Sequence, residues 1–457
     1  MSLSKRKHVQ LTNELESLCT EFKFWREQSE PKQPLEKHHT QIRRITAQLA
    51  GLVEEIGKQM QCSDRGEENL LSKSMNLEYM ILEVHRIWQF FRGKLLQRGT
   101  QWFQSHLAAA DDFAWECYRA ATEEVNESHI SPEQLKEPPL VFFNGCSSPY
   151  TASRDFSYRP EEVPYEGIKT PEFIKVLKRL PIPVIGIPWF QMQHLPDLLL
   201  IAHEVGHNVE DDLHLTERIT DNLEKEVSIP VERKPAWKAW HSEIFADFYG
   251  VLAAGPAFVS TLIDFIAKDQ QQIASERLPV NKSWGEYPTT SLRIFLVLEA
   301  LSFLKFEDES SELKNQWKTA YPEHSMAEFE EDIKFVVKSL LDSPFPEMGN
   351  QSFRDIFNFS KSQHRNAKKT AENMINNYIL GEGDIRVLLA AARMAFEQNP
   401  DEYNKKIREK VLEHIEEIRE SGTRELREAE SESIKKKKQD FDKREVERLF
   451  TLLKELC

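Results

Sequence analysis

The chain has 457 residues, 40% of them apolar and 30% charged, with a formal net charge of −15. That length exceeds one ordinary domain and predicts two or three folding units. The acidic balance excludes a general nucleic-acid binder, which needs a basic face to displace counterions.

Met1-Ser-Leu-Ser-Lys-Arg-Lys-His8 is basic but has no apolar run behind it, so no secretory signal is expected. The two most apolar stretches, Leu195 to Val205 and Val251 to Ala267, carry charged residues and are short for a membrane span. No membrane association is expected. The five cysteines, Cys19, Cys62, Cys117, Cys146 and Cys457, are scattered and lack CxxC spacing. A disulfide framework is therefore not expected, and a cytoplasmic location fits.

Residues 1–136 read as a helical bundle. Leu11, Leu15, Leu18, Phe22 and Trp25 step by four and three, as do Ile42, Ile45, Leu49, Leu52 and Ile56. Leu77, Ile81, Val84, Trp88, Phe91 and Leu95 form a third stripe, and Phe103, Leu107, Ala110, Ala114 and Cys117 a fourth. Each stripe lays one apolar face along a helix, and such faces need one another for burial.

The pattern changes at Glu137-Pro-Pro. Leu140-Val-Phe-Phe143 and Pro183-Val-Ile-Gly-Ile-Pro188 are strand candidates separated by a Tyr- and Pro-rich stretch. Prolines at both ends of the second suit an edge strand, the kind that pairs with an extended peptide; an ordinary core strand is the alternative. Helical patterning returns at Pro196 and runs through a central segment, 137–305, into a helical region, 306–457. Lys435 to Lys438 is flanked by acids and reads as a solvated helix face. The fold class is mainly α, with an α+β centre carrying a small sheet.

The chemistry concentrates in His203-Glu204-Val205-Gly206-His207. On a helix the two histidines stand one turn apart on one face, where both imidazoles reach a single metal ion. Glu204 sits beside them, placed to take a proton from an attacking water. The alternative is a buried helix whose histidines make ordinary hydrogen bonds. Catalytic zinc takes three protein ligands and keeps one position open. A third histidine in the metzincin register would fall at 213, which holds Leu213; His214 is one residue out of step.

A second helix offers a glutamate instead. In Trp240-His-Ser-Glu-Ile-Phe-Ala-Asp-Phe-Tyr-Gly250, Glu243 and Asp247 are one turn apart in an otherwise apolar run. Two acids on one face of a buried helix need partners. Coordination by Glu243, with Asp247 accepting the outer N–H of a ligand histidine, supplies them; satisfied surface acids are the alternative.

This pattern resembles the gluzincin zinc metallopeptidases, in which HExxH is followed downstream by Glu-x-x-x-Asp. Tyr287-Pro-Thr-Thr-Ser-Leu-Arg-Ile294 is similar to the His-Pro-…-Arg-Ile segment of the CAAX prenyl endopeptidases and related integral-membrane peptidases, with Tyr287 where those have histidine. The resemblance spans roughly residues 180–300. It implies a zincin-like domain binding Zn2+ through His203, His207 and Glu243, with Glu204 as general base and Asp247 and Arg293 behind the ligands. It also implies that Tyr287 donates to the oxyanion; otherwise Tyr287 opens the turn before the next helix. His241, Tyr249 and the Tyr150 to Tyr165 loop are competing donors. The implied activity is hydrolysis of a polypeptide substrate, with the helical flanks available to a protein partner. The rival functions are a scaffold with a vestigial or structural zinc site, and a zinc hydrolase of small amides.

Overall fold

A computed structural model describes residues 1–63, 67–125, 128–145, 147–151, 176, 179–276, 284–322, 327–378, 380, 383–421 and 432–456. The four amino-terminal stripes become α1 (Leu3–Glu27), α2 (His39–Ser63), α3 (Glu67–Leu96) and α4 (Gln101–Thr122). The apolar residues of the first three stripes are all buried. Trp88 meets Phe22 and Trp25 edge-on at 5.5 and 5.6 Å and donates its indole N–H to Glu21 at 2.9 Å.

Among the described residues three short strands follow: β1 (Leu140–Asn144), β2 (Tyr150–Thr151) and β3 (Val184–Pro188). The chain then forms α5 (Ile201–Asp212), α6 (Lys234–Ala254), α7 (Thr290–Phe303) and, with further helices between and after them, a final α8 (Glu432–Leu456). The fold is mainly α with one three-stranded sheet. Among the described residues no helix is long and apolar enough to cross a membrane.

The sheet divides two hydrophobic clusters. Successive side chains of a strand face opposite ways. Leu140, Phe142 and Val184 accordingly enter a cluster with α1, α2 and α3, while Val141, Phe143, Ile185 and Ile187 enter a larger one containing α5, α6 and α7. α4 packs into the larger cluster, although periodicity alone groups it with the first three helices. Val446, Leu449, Phe450 and Leu453 of α8 return to the smaller one. Arg44 of α2 clamps that return, holding Asp442 through Nε and Nη2 at 3.0 Å each.

β3 is not an edge strand. It lies in the middle, parallel to β1 and antiparallel to β2. Its prolines are compatible with this because they fall at the ends of the ladder, where Pro183 needs only its carbonyl, which accepts from Leu140 N at 2.9 Å. The side expected to receive substrate is covered by β2, and Tyr150 lies across Gly186: an added Cβ there would sit 2.4 Å from the tyrosine ring.

Candidate metal centre

Pro196 opens a short turn, Leu195–Leu200, that leads into α5. Every residue of α5 except Asp211 is buried, so its polar groups must find partners inside the protein. α5 packs against α6 at Gly206, where a Cβ would lie 2.8 Å from Tyr249 Cβ and 2.9 Å from Ala246 Cα. The missing side chain allows the two backbones to approach, and the approach sets the histidines of one helix against the carboxylates of the other.

His203, His207 and Glu243 converge, with one ligand-type atom from each lying within 4.8 Å of the other two. Nε2 of His203 is 3.3 Å from Glu243 Oε2, and Nε2 of His207 is 3.4 Å from Glu243 Oε1. Glu204, though 6% exposed and adjacent in sequence, is outside this group. Its carboxylate accepts instead from Thr151 Oγ1 at 3.0 Å.

Behind the ligands stands a chain of charge. Asp247 is 1% exposed and accepts from His203 Nδ1 at 2.9 Å. Arg293 of α7 holds the same carboxylate through Nε and Nη2, the latter at 2.8 Å. Burial works to raise the pKa of Asp247, but the Arg293 charge and the bonds from Arg293 and His203 hold it below the usual carboxylate range. A carboxylate kept ionised can only accept, so His203 Nδ1 carries a hydrogen and Nε2 turns its other valence toward Glu243.

That orientation tests whether a metal fits. Glu243 Oε2 is buried and has no donor in hydrogen-bond geometry. A neutral His203 would therefore set a lone pair against a carboxylate oxygen, an arrangement that a cation between them would relieve. Without an ion the cation is a proton: desolvation lowers the pKa of His203, but Asp247 and Glu243 outweigh it and raise it to about 10. Burial likewise pushes Glu243 up, while the two imidazoles pull it well below the ordinary range. Two imidazole nitrogens and a carboxylate form a donor set that suits zinc.

The other candidates separate by their partners. Tyr287 is 56% exposed and lies under the Arg293 guanidinium, 5.8 Å from ring centre to Cζ. Tyr249 is buried and donates its hydroxyl to the Cys117 carbonyl at 2.6 Å, a structural role that removes it as an oxyanion donor. His241 spans Lys238 O at 2.7 Å and Glu210 Oε1 at 3.0 Å, tying α6 to α5. Of the Tyr150 to Tyr165 loop, residues 152–165 lie outside the described residues.

Two partners were invisible to sequence spacing. Ser242 Oγ lies 3.1 Å from His207 Nδ1, and Thr151 reaches Glu204 from 53 residues upstream. Ser242 had one usable signal, its position beside Glu243. Thr151 had none. Comparison of the chain with protein families, curated proteins and solved structures finds no match.

Proposed function

We propose that this chain is a gluzincin-like zinc peptidase with a zincin-like centre, in which His203, His207 and Glu243 hold the metal and Glu204 is the general base. The observation that carries the reading is the division of labour among four side chains, His203, Glu204 and His207 buried and Glu243 partly so. Three converge on one point, and the fourth, Glu204, stays out of the group and accepts from the Thr151 hydroxyl.

Zinc in such a site supplies a Lewis acid and a water acidified toward neutral pH. Glu204 takes a proton from the attacking water, whose oxygen forms the new bond to the scissile carbonyl carbon. It then returns the proton to the amine nitrogen as the C–N bond breaks. Asp247 fixes the His203 ring and raises its basicity, and Arg293 keeps Asp247 ionised. Tyr287, with Tyr249 committed elsewhere, is the phenol we assign to the oxyanion. The substrate in this reading is a polypeptide, and the helical flanks are where a protein partner would bind. Free thiols at Cys19 and Cys117 are compatible with the cytoplasm.

The test is Glu204→Gln assayed on a quenched-fluorescent peptide library. Turnover is expected to fall at least ~100-fold, the size of a general-base contribution, with zinc content and melting temperature unchanged. Undiminished cleavage by that variant would remove Glu204 as the general base, and no cleavage by the wild-type chain would leave the scaffold reading.

A further inference from the structure

Thr151 is the only side chain that hydrogen-bonds Glu204 among the described residues. Its hydroxyl lies 3.0 Å from Glu204 Oε2 and 3.1 Å from the Glu204 carbonyl oxygen. Both residues are buried, Thr151 at 3% and Glu204 at 6% exposure. A carboxylate taken out of water needs donors, and an otherwise unbonded one turns freely about its last torsion.

The hydroxyl is itself fixed. Thr151 pairs with Ile185 of β3, and its neighbour Tyr150 pairs with Gly186. Tyr150 is pinned by its ring over Gly186 and by Asn144 Nδ2, which donates to its hydroxyl at 2.6 Å. β2 is therefore a short strut from the sheet to the active helix, with the threonine hydroxyl at its end.

We propose that Thr151 is a positioning residue: by binding Oε2 it fixes the plane of the Glu204 carboxylate and leaves Oε1 to carry the proton. The role rests on the reading of Glu204 as general base. β2 lies beside β3, on the side where a substrate strand was expected, so a rival role is a plug that must withdraw before substrate enters. The two roles predict opposite signs. Loss of the hydroxyl slows a positioned base but frees a plugged one.

The experiment uses the full-length chain, with Thr151→Val removing the hydroxyl at constant shape and Thr151→Ser retaining it. On the best-cleaved peptide of the library, Thr151→Val is expected to lower kcat about 10- to 100-fold, the usual effect of an outer partner, at unchanged KM and zinc content. Thr151→Ser is expected to restore near wild-type turnover. Infrared spectroscopy of the metal-free protein gives a readout independent of activity. The antisymmetric carboxylate band that Glu204→Gln removes should shift in Thr151→Val and not in Thr151→Ser.

An unshifted band, or kcat equal to or above wild type in Thr151→Val, overturns the proposal. Should Thr151→Val fail to fold, a folded Thr151→Ser with a displaced band and slow turnover also overturns it, since the hydroxyl would then not be the active group. If Glu204→Gln cleaves normally while the Thr151→Val band still shifts, the base assignment has failed and the hydrogen bond stands.

Discussion

His203 Nδ1 donates to Asp247 at 2.9 Å, and this one bond decides what the rest of the ring can do. With Nδ1 protonated, Nε2 faces Glu243 Oε2 across 3.3 Å, and a cation between them, or a proton on the ring, turns that contact from repulsive to attractive. The tautomer, the ligand atom and the need for positive charge all follow from a carboxylate one turn beyond Glu243.

The purified protein is accordingly expected to hold one zinc per chain. Elemental analysis should give that ratio, and X-ray absorption should show two nitrogens and one oxygen from protein at about 2.0–2.2 Å. Glu243→Ala should lose the metal with the helices intact; a variant that still binds zinc as tightly as wild type removes Glu243 from the ligand set.

Asp247→Ala should weaken zinc affinity ~10–100-fold by releasing the His203 ring. It also leaves the Arg293 guanidinium buried without its anion, a change that destabilises by ~3–5 kcal/mol. Zinc titration and urea unfolding read the two effects separately, and wild-type values in both would make Asp247 incidental.

Gly206→Ala places a methyl 2.8 Å from Tyr249 Cβ and 2.9 Å from backbone at Ala246. Backbone cannot step aside as a flexible side chain can, so α5 and α6 must separate. The expected loss is about 1–3 kcal/mol, with weaker zinc binding because His207 and Glu243 lie on opposite sides of the contact. A melting temperature matching wild type would show that the helices are looser than the structure has them.

Lys94 supplies a pH dependence away from the metal. It is buried between Phe90 and Phe142, donates to the Phe90 carbonyl, and desolvation pushes its pKa down to about 7. The unfolded chain keeps that proton to roughly 10.4. Between these values the unfolded state binds more protons, so stability rises with pH through the window, and the full penalty is present below it. Lys94→Met should therefore raise the urea midpoint more at pH 7 than at pH 10. Equal gains at the two pH values would mean that Lys94 stays charged in the fold.

What is local or periodic is legible in the amino-acid order alone. The spacing of His203 and His207 is a property of one helix, and the stripes of α1, α2 and α3 fix their buried faces. Glu243 and Asp247 were legible because acids in an apolar run need partners whatever the fold. What depends on neighbours distant in sequence comes from the packing of the elements. Whether β3 is central or at an edge rests on β2, two residues too short to show any period. α4 carries the same stripe as its predecessors, and only packing assigns it to the other cluster. Thr151 meets Glu204, and Ser242 meets His207, because Gly206 and Gly186 let backbone and ring come close. A hydrogen bond across 53 residues leaves no trace in spacing, since it is set by where the elements pack and not by the residues that form them.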